Sequence, residues 1–307
     1  MGTLAAILFA QNELQAAAKL ATDAAQMSQQ SLGREHPDTL TFKGVLAEIM
    51  REKGDLAGAR ELQEEILAIR LALFGPTHRS VLTTKVHLAN TVFELGDAAA
   101  AQKLYLEALP YLRQVLGSDH PNTQACMISL AIVLEALGDW AGARDIHQAT
   151  LNARKQYLGE DDPRTVNSMN DLANALRELG EFKPARGLLE RAVAISNRTL
   201  GEEDQQTLIS LSNLANLLDA MGELEAARAI ETRVLALRIR TLGRSHPSTI
   251  TSLNNLAGTF WALRKPAKAR ALWRAALAGA VEHWGDEHSY IQSLRQALGA
   301  FENPAKD

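Results

Sequence analysis

Five histidines, His36, His78, His120, His246 and His288, share one phase of a 42-residue period. Histidine is the commonest metal ligand, so such a ladder invites a metal site. Ligation needs ring nitrogens at about 2.0–2.1 Å from one ion. Equivalent residues one period apart are separated by two helices, and packed helix axes already lie ~8–10 Å apart. No ion can be shared across that spacing, and the ladder reads as a turn feature. His283 and His288 flank Trp284-Gly285-Asp286-Glu287, and the turn reading covers them too. Cys126 is the only cysteine, so the chain forms no internal disulfide, in keeping with a reducing compartment. A nucleophilic cysteine needs a positioned base; no sequence signature supplies one, and Cys126 reads as a small packing residue. The runs Glu160-Asp161-Asp162 and Glu202-Glu203-Asp204 sit just before a helix start. Negative charge is favourable there, so capping accounts for them without a cation. The chain carries no phosphate-cradling glycine loop, no H-E-x-x-H and no G-x-S-x-G. These residues point away from catalysis and call for no cofactor and no metal.

The elements that position all of these follow from that period. A bulky apolar residue followed by Gly recurs at Leu32-Gly33, Phe74-Gly75, Leu116-Gly117, Leu158-Gly159, Leu200-Gly201, Leu242-Gly243 and Trp284-Gly285, always 42 apart. Leu-Ala pairs recur in step, from Leu4-Ala5 through Leu172-Ala173 to Leu256-Ala257, as do single alanines from Ala17 to Ala269. A turn of Gly with Asp or Glu repeats from Gly54-Asp55 to Gly222-Glu223, and Arg264 takes the glycine slot in the next unit. Such self-similarity marks a repeat array. In residues 163–204, Val166, Met169, Leu172, Ala173 and Leu176 follow helical spacing and define a helix A that Gly180 ends. Phe182, Ala185, Leu188, Leu189, Ala192 and Val193 define a helix B, ended by Gly201. Pro at the start of helix A costs nothing, because the missing N–H has no intrahelical partner there. Asp162 and Asp204 suit an N-cap; histidine is less usual in that place.

The count closes as a single array over 1–307. Residues 1–36 are a partial repeat; 37–78, 79–120, 121–162, 163–204, 205–246 and 247–288 are full ones. Residues 289–307 form a C-terminal capping helix with Ile291, Leu294, Leu298 and Phe301 on its apolar face. The start at Met1-Gly2-Thr3 falls inside a helix A, which suggests a module cut from a longer protein. Ile7, Ala10 and Leu14 on that uncapped end are candidates for self-association. The net charge of −4, from 36 acidic and 32 basic residues, argues against nucleic acid as a partner. The longest apolar runs fall far short of the ~18 residues that cross a bilayer. A cytoplasmic location is expected, with no membrane partner.

The string T-L-x-S-L-N-N-L-A, then G-[DE], A-R-x-L and L-G-x-x-H-P, resembles the 42-residue tetratricopeptide repeats of kinesin light chains, which many bacterial multidomain proteins share. Thr249 to Ala257 carries it most fully. Departures include Ile128-Ser129-Leu130-Ala131-Ile132 and Gly44-Val45-Leu46-Ala47-Glu48. The resemblance spans essentially the whole chain. It implies an all-α, right-handed superhelical solenoid with helix A lining a concave groove. It also implies a non-catalytic module that binds a protein or peptide in that groove.

Placed on this chain, the groove positions of repeats four to six hold Asn167, Asn170, Asp171, Asn174 and Arg177; Ile209, Ser212, Asn213, Asn216 and Asp219; and Thr251, Asn254, Asn255, Gly258 and Trp261. Repeat two offers Asn90 and Phe93. Asparagine both donates and accepts, so a ladder of it can pair with the backbone of an extended peptide. Arg177 would hold a carboxylate, and aromatic residues suit an interface. The peptide-binding candidates are therefore Asn90, Asn167, Asn170, Asn174, Arg177, Asn213, Asn216, Asn254 and Asn255. Hydrogen bonds between helices are the competing explanation for any one asparagine. The alternative function is a sensor or scaffold module whose effector, a nucleotide-switch ATPase or a protease, lies outside this chain. A ligand is expected toward the C-terminal half, where the asparagines gather.

Overall fold

Helix A starts where the period puts a cap. In the computed structural model the ring Nδ1 of His36, His78, His120 and His246 accepts the backbone N–H two residues on, at 3.2, 3.3, 3.1 and 3.1 Å. Asp162 and Asp204 do the same with Arg164 and Gln206, both at 2.8 Å. The histidine ladder is thus a ladder of N-caps: an imidazole ring nitrogen stands in for the usual carboxylate or hydroxyl oxygen. Asp55, Asp97 and Asp139 cap helix B by accepting the backbone N–H three residues on, at 3.1, 2.9 and 2.9 Å.

The structure describes residues 13–286 together with 288, 291, 292, 294, 295, 298 and 299. Among them the elements are thirteen helices and no strand. They are α1 (Leu14–Leu32), α2 (Pro37–Glu52), α3 (Leu56–Phe74), α4 (Arg79–Glu94), α5 (Ala98–Leu116), α6 (Pro121–Ala136), α7 (Trp140–Leu158), α8 (Pro163–Glu178), α9 (Phe182–Thr199), α10 (Gln205–Ala220), α11 (Leu224–Leu242), α12 (Pro247–Ala262) and α13 (Pro266–Trp284). Even-numbered helices from α2 on are A helices and the odd ones B helices. Residues 1–153 and 154–307 form two compact units.

Within the first unit each helix from α1 to α6 packs on its neighbours, and α2 also meets α4, and α4 meets α6. In the second, α8 to α13 do likewise, and α10 touches both α8 and α12. Alanine makes this spacing possible. Ala17, Ala59, Ala101, Ala143, Ala185, Ala227 and Ala269 on helix B are all fully buried. So are Ala47, Ala89, Ala131, Ala173, Ala215 and Ala257 on helix A. Side chains larger than a methyl at those contacts would push the helices apart. In the first unit Leu82, Tyr105, Leu112, Met127 and Leu130 fill the core. In the second, Ile291 and Leu294 close one end of the core formed by Leu235, Ile250, Leu253 and Leu256. Leu298 packs with Ala257, Ala269 and Trp273. Phe301 of that terminal face, and Ile7 and Ala10 of the N-terminal one, lie outside the described residues; Leu14 is half-buried.

The A-to-B turn needs a left-handed residue. Gly54, Gly96, Gly138, Gly180 and Gly222 supply it at φ between +74° and +92°. Arg264 occupies the same place at +58° and is the one non-glycine with positive φ among the described residues. A side chain there costs ~1–2 kcal/mol, against the ~0.5–1 kcal/mol that glycine's freedom costs the folded state. Arg264→Gly should therefore raise stability by about 0.5–1 kcal/mol. Thermal melts of the two proteins check this; a lower midpoint in the variant would show that the arginine side chain contributes more than its backbone costs.

Candidate functional site

The A-helix positions of α8, α10 and α12 differ in how much of their hydrogen-bonding capacity the contacts between helices use. Asn170, expected in the groove, is 3 % exposed and already satisfied. Its Nδ2 donates to Ser210 Oγ at 2.9 Å and to Val166 O at 3.2 Å, and its Oδ1 accepts from Asn213 Nδ2 at 3.3 Å. Asn255 Nδ2 donates to Asn216 Oδ1 at 3.2 Å. Asn254 Oδ1 accepts from Trp273 Nε1 at 3.1 Å. These bonds tie α8 to α10, α10 to α12, and α12 to α13. Asn170 is thus a structural bolt, because its whole amide is turned inward.

The others keep hydrogen-bonding capacity. Asn174 is half-buried and makes no hydrogen bond with the described residues. Asn216 spends only its oxygen, and Asn213 and Asn255 one N–H each. Asn167 is exposed and accepts from Gln206 Nε2 at 3.0 Å. Arg177 is half-buried and donates to Glu178 Oε1 at 2.6 Å. Beside them Ile209 is 44 % and Trp261 39 % exposed, with the Trp261 ring 5.9 Å from that of Trp273. In the first unit Asn90 Oδ1 accepts from the buried Tyr105 hydroxyl.

Sequence reasoning passed over a second register, on helix B. Gln63, Tyr105, His147, Leu189, Glu231 and Trp273 occupy equivalent positions in successive repeats. Gln63 Nε2 donates to Glu48 at 3.2 Å, and His147 Nε2 lies 2.7 Å from Glu135. Glu231 is 6 % exposed, one of its oxygens has no partner, and burial pushes its carboxyl up to about 7. Asp219 adds to the shift, and the Thr259 hydroxyl opposes it. The space beside Glu231 is about 10 Å³, room for a single water at most. A third register holds Arg70, Arg154 and Arg238, one in every second repeat. Each Nη1 donates to a backbone oxygen ten residues on and to a hydroxyl fourteen on, at 3.3 and 2.7, 2.8 and 2.8, and 3.1 and 2.6 Å. Each thereby fastens a helix B to the next helix A. Burial lowers all three guanidinium groups from their ordinary value.

The remaining chemistry is quiet. Cys126 is fully buried, and burial pushes its thiol up to about 12, which leaves no thiolate for attack. Of the acidic runs, Asp162 and Asp204 are caps. Glu160 pairs with Arg191, Asp161 with Arg198, Glu202 with Arg233 and Glu203 with Arg240. The capping reading therefore explains one residue of each run, and arginines on the following helix B explain the rest. Three periods earlier the first of these pairs recurs with charges exchanged, as Arg34–Glu65 at 2.9 Å. No described helix is long and apolar enough to cross a membrane.

Comparison with known proteins agrees with this architecture. The sequence profile of the tetratricopeptide repeat family matches residues 1–72, 40–114, 80–145, 124–198, 185–240 and 206–280. The nearly identical TPR-like repeats assigned to a kinesin light chain of Podosopora anserina are similar at 28 % identity. That match covers 67 % of this chain and 97 % of that one, with a TM-score of 0.63. BtubC (BKLC) from P. vanneervenii is 20 % identical over 77 % of this chain and 93 % of its own, with a TM-score of 0.62. The apo quorum sensor NprR from B. thuringiensis, 12 % identical over 99 % of this chain and 81 % of its own, has a TM-score of 0.69. At their identities these last two speak to fold alone. No curated protein sequence matches.

Proposed function

Because this chain belongs to the tetratricopeptide repeat family, a family of protein-interaction modules, we propose that it is a non-catalytic binding module for an extended segment of a partner protein. The segment would lie along the A-helix faces of α8, α10 and α12. One observation carries this reading: Asn167, Asn174, Asn213, Asn216 and Asn255 keep donors or acceptors unspent after the contacts between helices are made. Peptide backbone offers one N–H and one C=O per residue whatever its sequence. Amides spaced from one A helix to the next would grip it without reading its side chains. Ile209, Trp261 and Arg177 would then supply preference, the first two for apolar side chains and Arg177 for a carboxylate.

The test starts by selecting short random peptides on the intact chain by phage display. Fluorescence polarisation then compares the wild type with the variant Asn174→Ala, Asn216→Ala, Arg177→Ala. At ~1 kcal/mol for each lost hydrogen bond, affinity should fall more than about tenfold, with an unchanged circular dichroism spectrum. Equal affinity for the selected peptides, or no enrichment at all, would count against the groove.

A further inference from the structure

The first unit contains a feature that the asparagine groove does not explain. A cavity of about 200 Å³ opens between α2, α3 and α4. Gly44, Val45, Glu48, Gln63, Ile66 and Arg70 line it, with Thr84 and His87 on the α4 side. Four periods later the same positions are Ser212, Glu231, Val234, Arg238, Ser252 and Asn255 in place of Gly44, Gln63, Ile66, Arg70, Thr84 and His87. There the space is about 10 Å³. At the register of Gly44 the other full repeats carry Val86, Ile128, Asn170, Ser212 and Asn254, and the partial repeat carries Gly2. Glycine in the middle of a helix costs about 0.5–1 kcal/mol relative to alanine. Gly44 has no positive φ, and a Cβ built on it would meet nothing within 4 Å. The fold therefore has no need of glycine at this position, and its effect is to keep the cavity open.

Two polar groups in the wall are left over. Gln63 is 2 % exposed and gives its Nε2 to Glu48, whose carboxylate also holds His87 Nδ1 at 2.6 Å and Arg51 Nε at 3.4 Å. A carboxylate only accepts, so the NH₂ of Gln63 must face it and the carbonyl must face away. That carbonyl, Oε1, is buried without a partner. Arg70 uses Nη1 for Ser80 O and Thr84 Oγ1, and pairs with no carboxylate among the described residues. Its Nε and Nη2 remain as donors.

We propose that this cavity receives one carboxamide side chain, glutamine or asparagine, from a partner polypeptide. A carboxamide offers N–H to Gln63 Oε1 and C=O to Arg70 in one group, while Val45, Ile66 and the threonine methyl groups enclose its stem. A carboxylate would satisfy Arg70 but set a second acceptor against Gln63 Oε1. An alkyl group would leave both unpaired, so it should bind more weakly. The size fits one side chain, since a cavity of ~150 Å³ accommodates benzene. The proposal rests on the reading of the chain as a protein-binding module, yet the site is separate from α8, α10 and α12.

The test uses the full chain with labelled valine and isoleucine methyl groups and N-acetylglutamine N′-methylamide as the probe, followed by NMR. Val45 and Ile66 methyl signals should shift saturably. The glutamate and leucine analogues should bind at least about fivefold more weakly, the equivalent of ~1 kcal/mol. Gly44→Leu should abolish the shifts, and the milder Gly44→Ser, which copies Ser212, should weaken binding should the leucine variant not fold. Gln63→Leu, which copies Leu189, should erase the preference over the leucine analogue. The Asn174, Asn216, Arg177 variant should bind the probe like the wild type, so failure here and failure of the groove are distinguishable. Absence of a saturable shift, tighter binding of glutamate or leucine, or undiminished shifts in Gly44→Leu would each overturn the proposal.

Discussion

Glu231→Gln is expected to flatten the dependence of stability on pH between about 5 and 8. Glu231 lies on α11 with 6 % exposure and one unpartnered oxygen. Burial pushes it up to about 7 from an ordinary 4.5. Asp219 is the charged group that adds to this shift, and Thr259 Oγ1 is the group that opposes it. Ser212, Ser252 and Asn255 line the same small space and do not titrate. Between pH 4.5 and 7 the folded chain holds the proton that the unfolded chain has released. Stability therefore falls as pH rises. The contribution is fully present below about 4.5 and lost once pH passes 7. At ~1.4 kcal/mol per pH step, the loss is at most about 3 kcal/mol. Glutamine keeps the shape and the hydrogen bonding and cannot ionise, so the variant should be more stable than wild type at pH 8 and no more stable at pH 4.5. Glu160, held down to about 2 chiefly by its hydrogen bond to Arg191, acts in another window, since its contribution is lost only as pH falls from 4.5 toward 2. Urea unfolding of both proteins at pH 5 and 8 measures the effect. An equal slope in the variant would assign the titration to another group.

Asn170→Ala should cost about 2 kcal/mol, the penalty for leaving buried partners unpaired. The substitution strands Ser210 Oγ and Asn213 Nδ2, which both depend on that amide. Asn174→Ala, one turn along the same face, removes no described bond and should change stability by less than ~0.5 kcal/mol. In a repeat array the loss is felt between nearest neighbours, so amide hydrogen exchange should quicken first in α8 and α10. Similar melting of the two variants would show that the ladder between α8 and α10 contributes nothing. The comparison also separates structure from binding: a binding defect in Asn170→Ala alone would report a loosened helix pair, whereas one in Asn174→Ala would report lost contact with a ligand.

These two asparagines show where reading from residues reaches its limit. The 42-residue period, the Gly and Asp turns, the paired alanines and the Pro at the start of helix A are local signals. Each acts through φ, through capping or through side-chain size within one helix pair, and together they are sufficient for the all-α repeat fold. The histidine ladder belongs with them, although it took the geometry to show that imidazole nitrogens do the capping. What remained hidden depends on the helix one repeat away. Asn170 and Asn174 have the same side chain and adjacent turns, but Ser210 and Asn213 reach only the first. Gly44 stood out in the sequence as a departure from the pattern. Only the packing of α2 against α3 and α4 shows that the missing side chain leaves a cavity, with Gln63 and Arg70 in its wall. Short-range sterics set the repeat; contacts from one repeat to the next, which no single repeat contains, decide which of its polar groups are left for a partner.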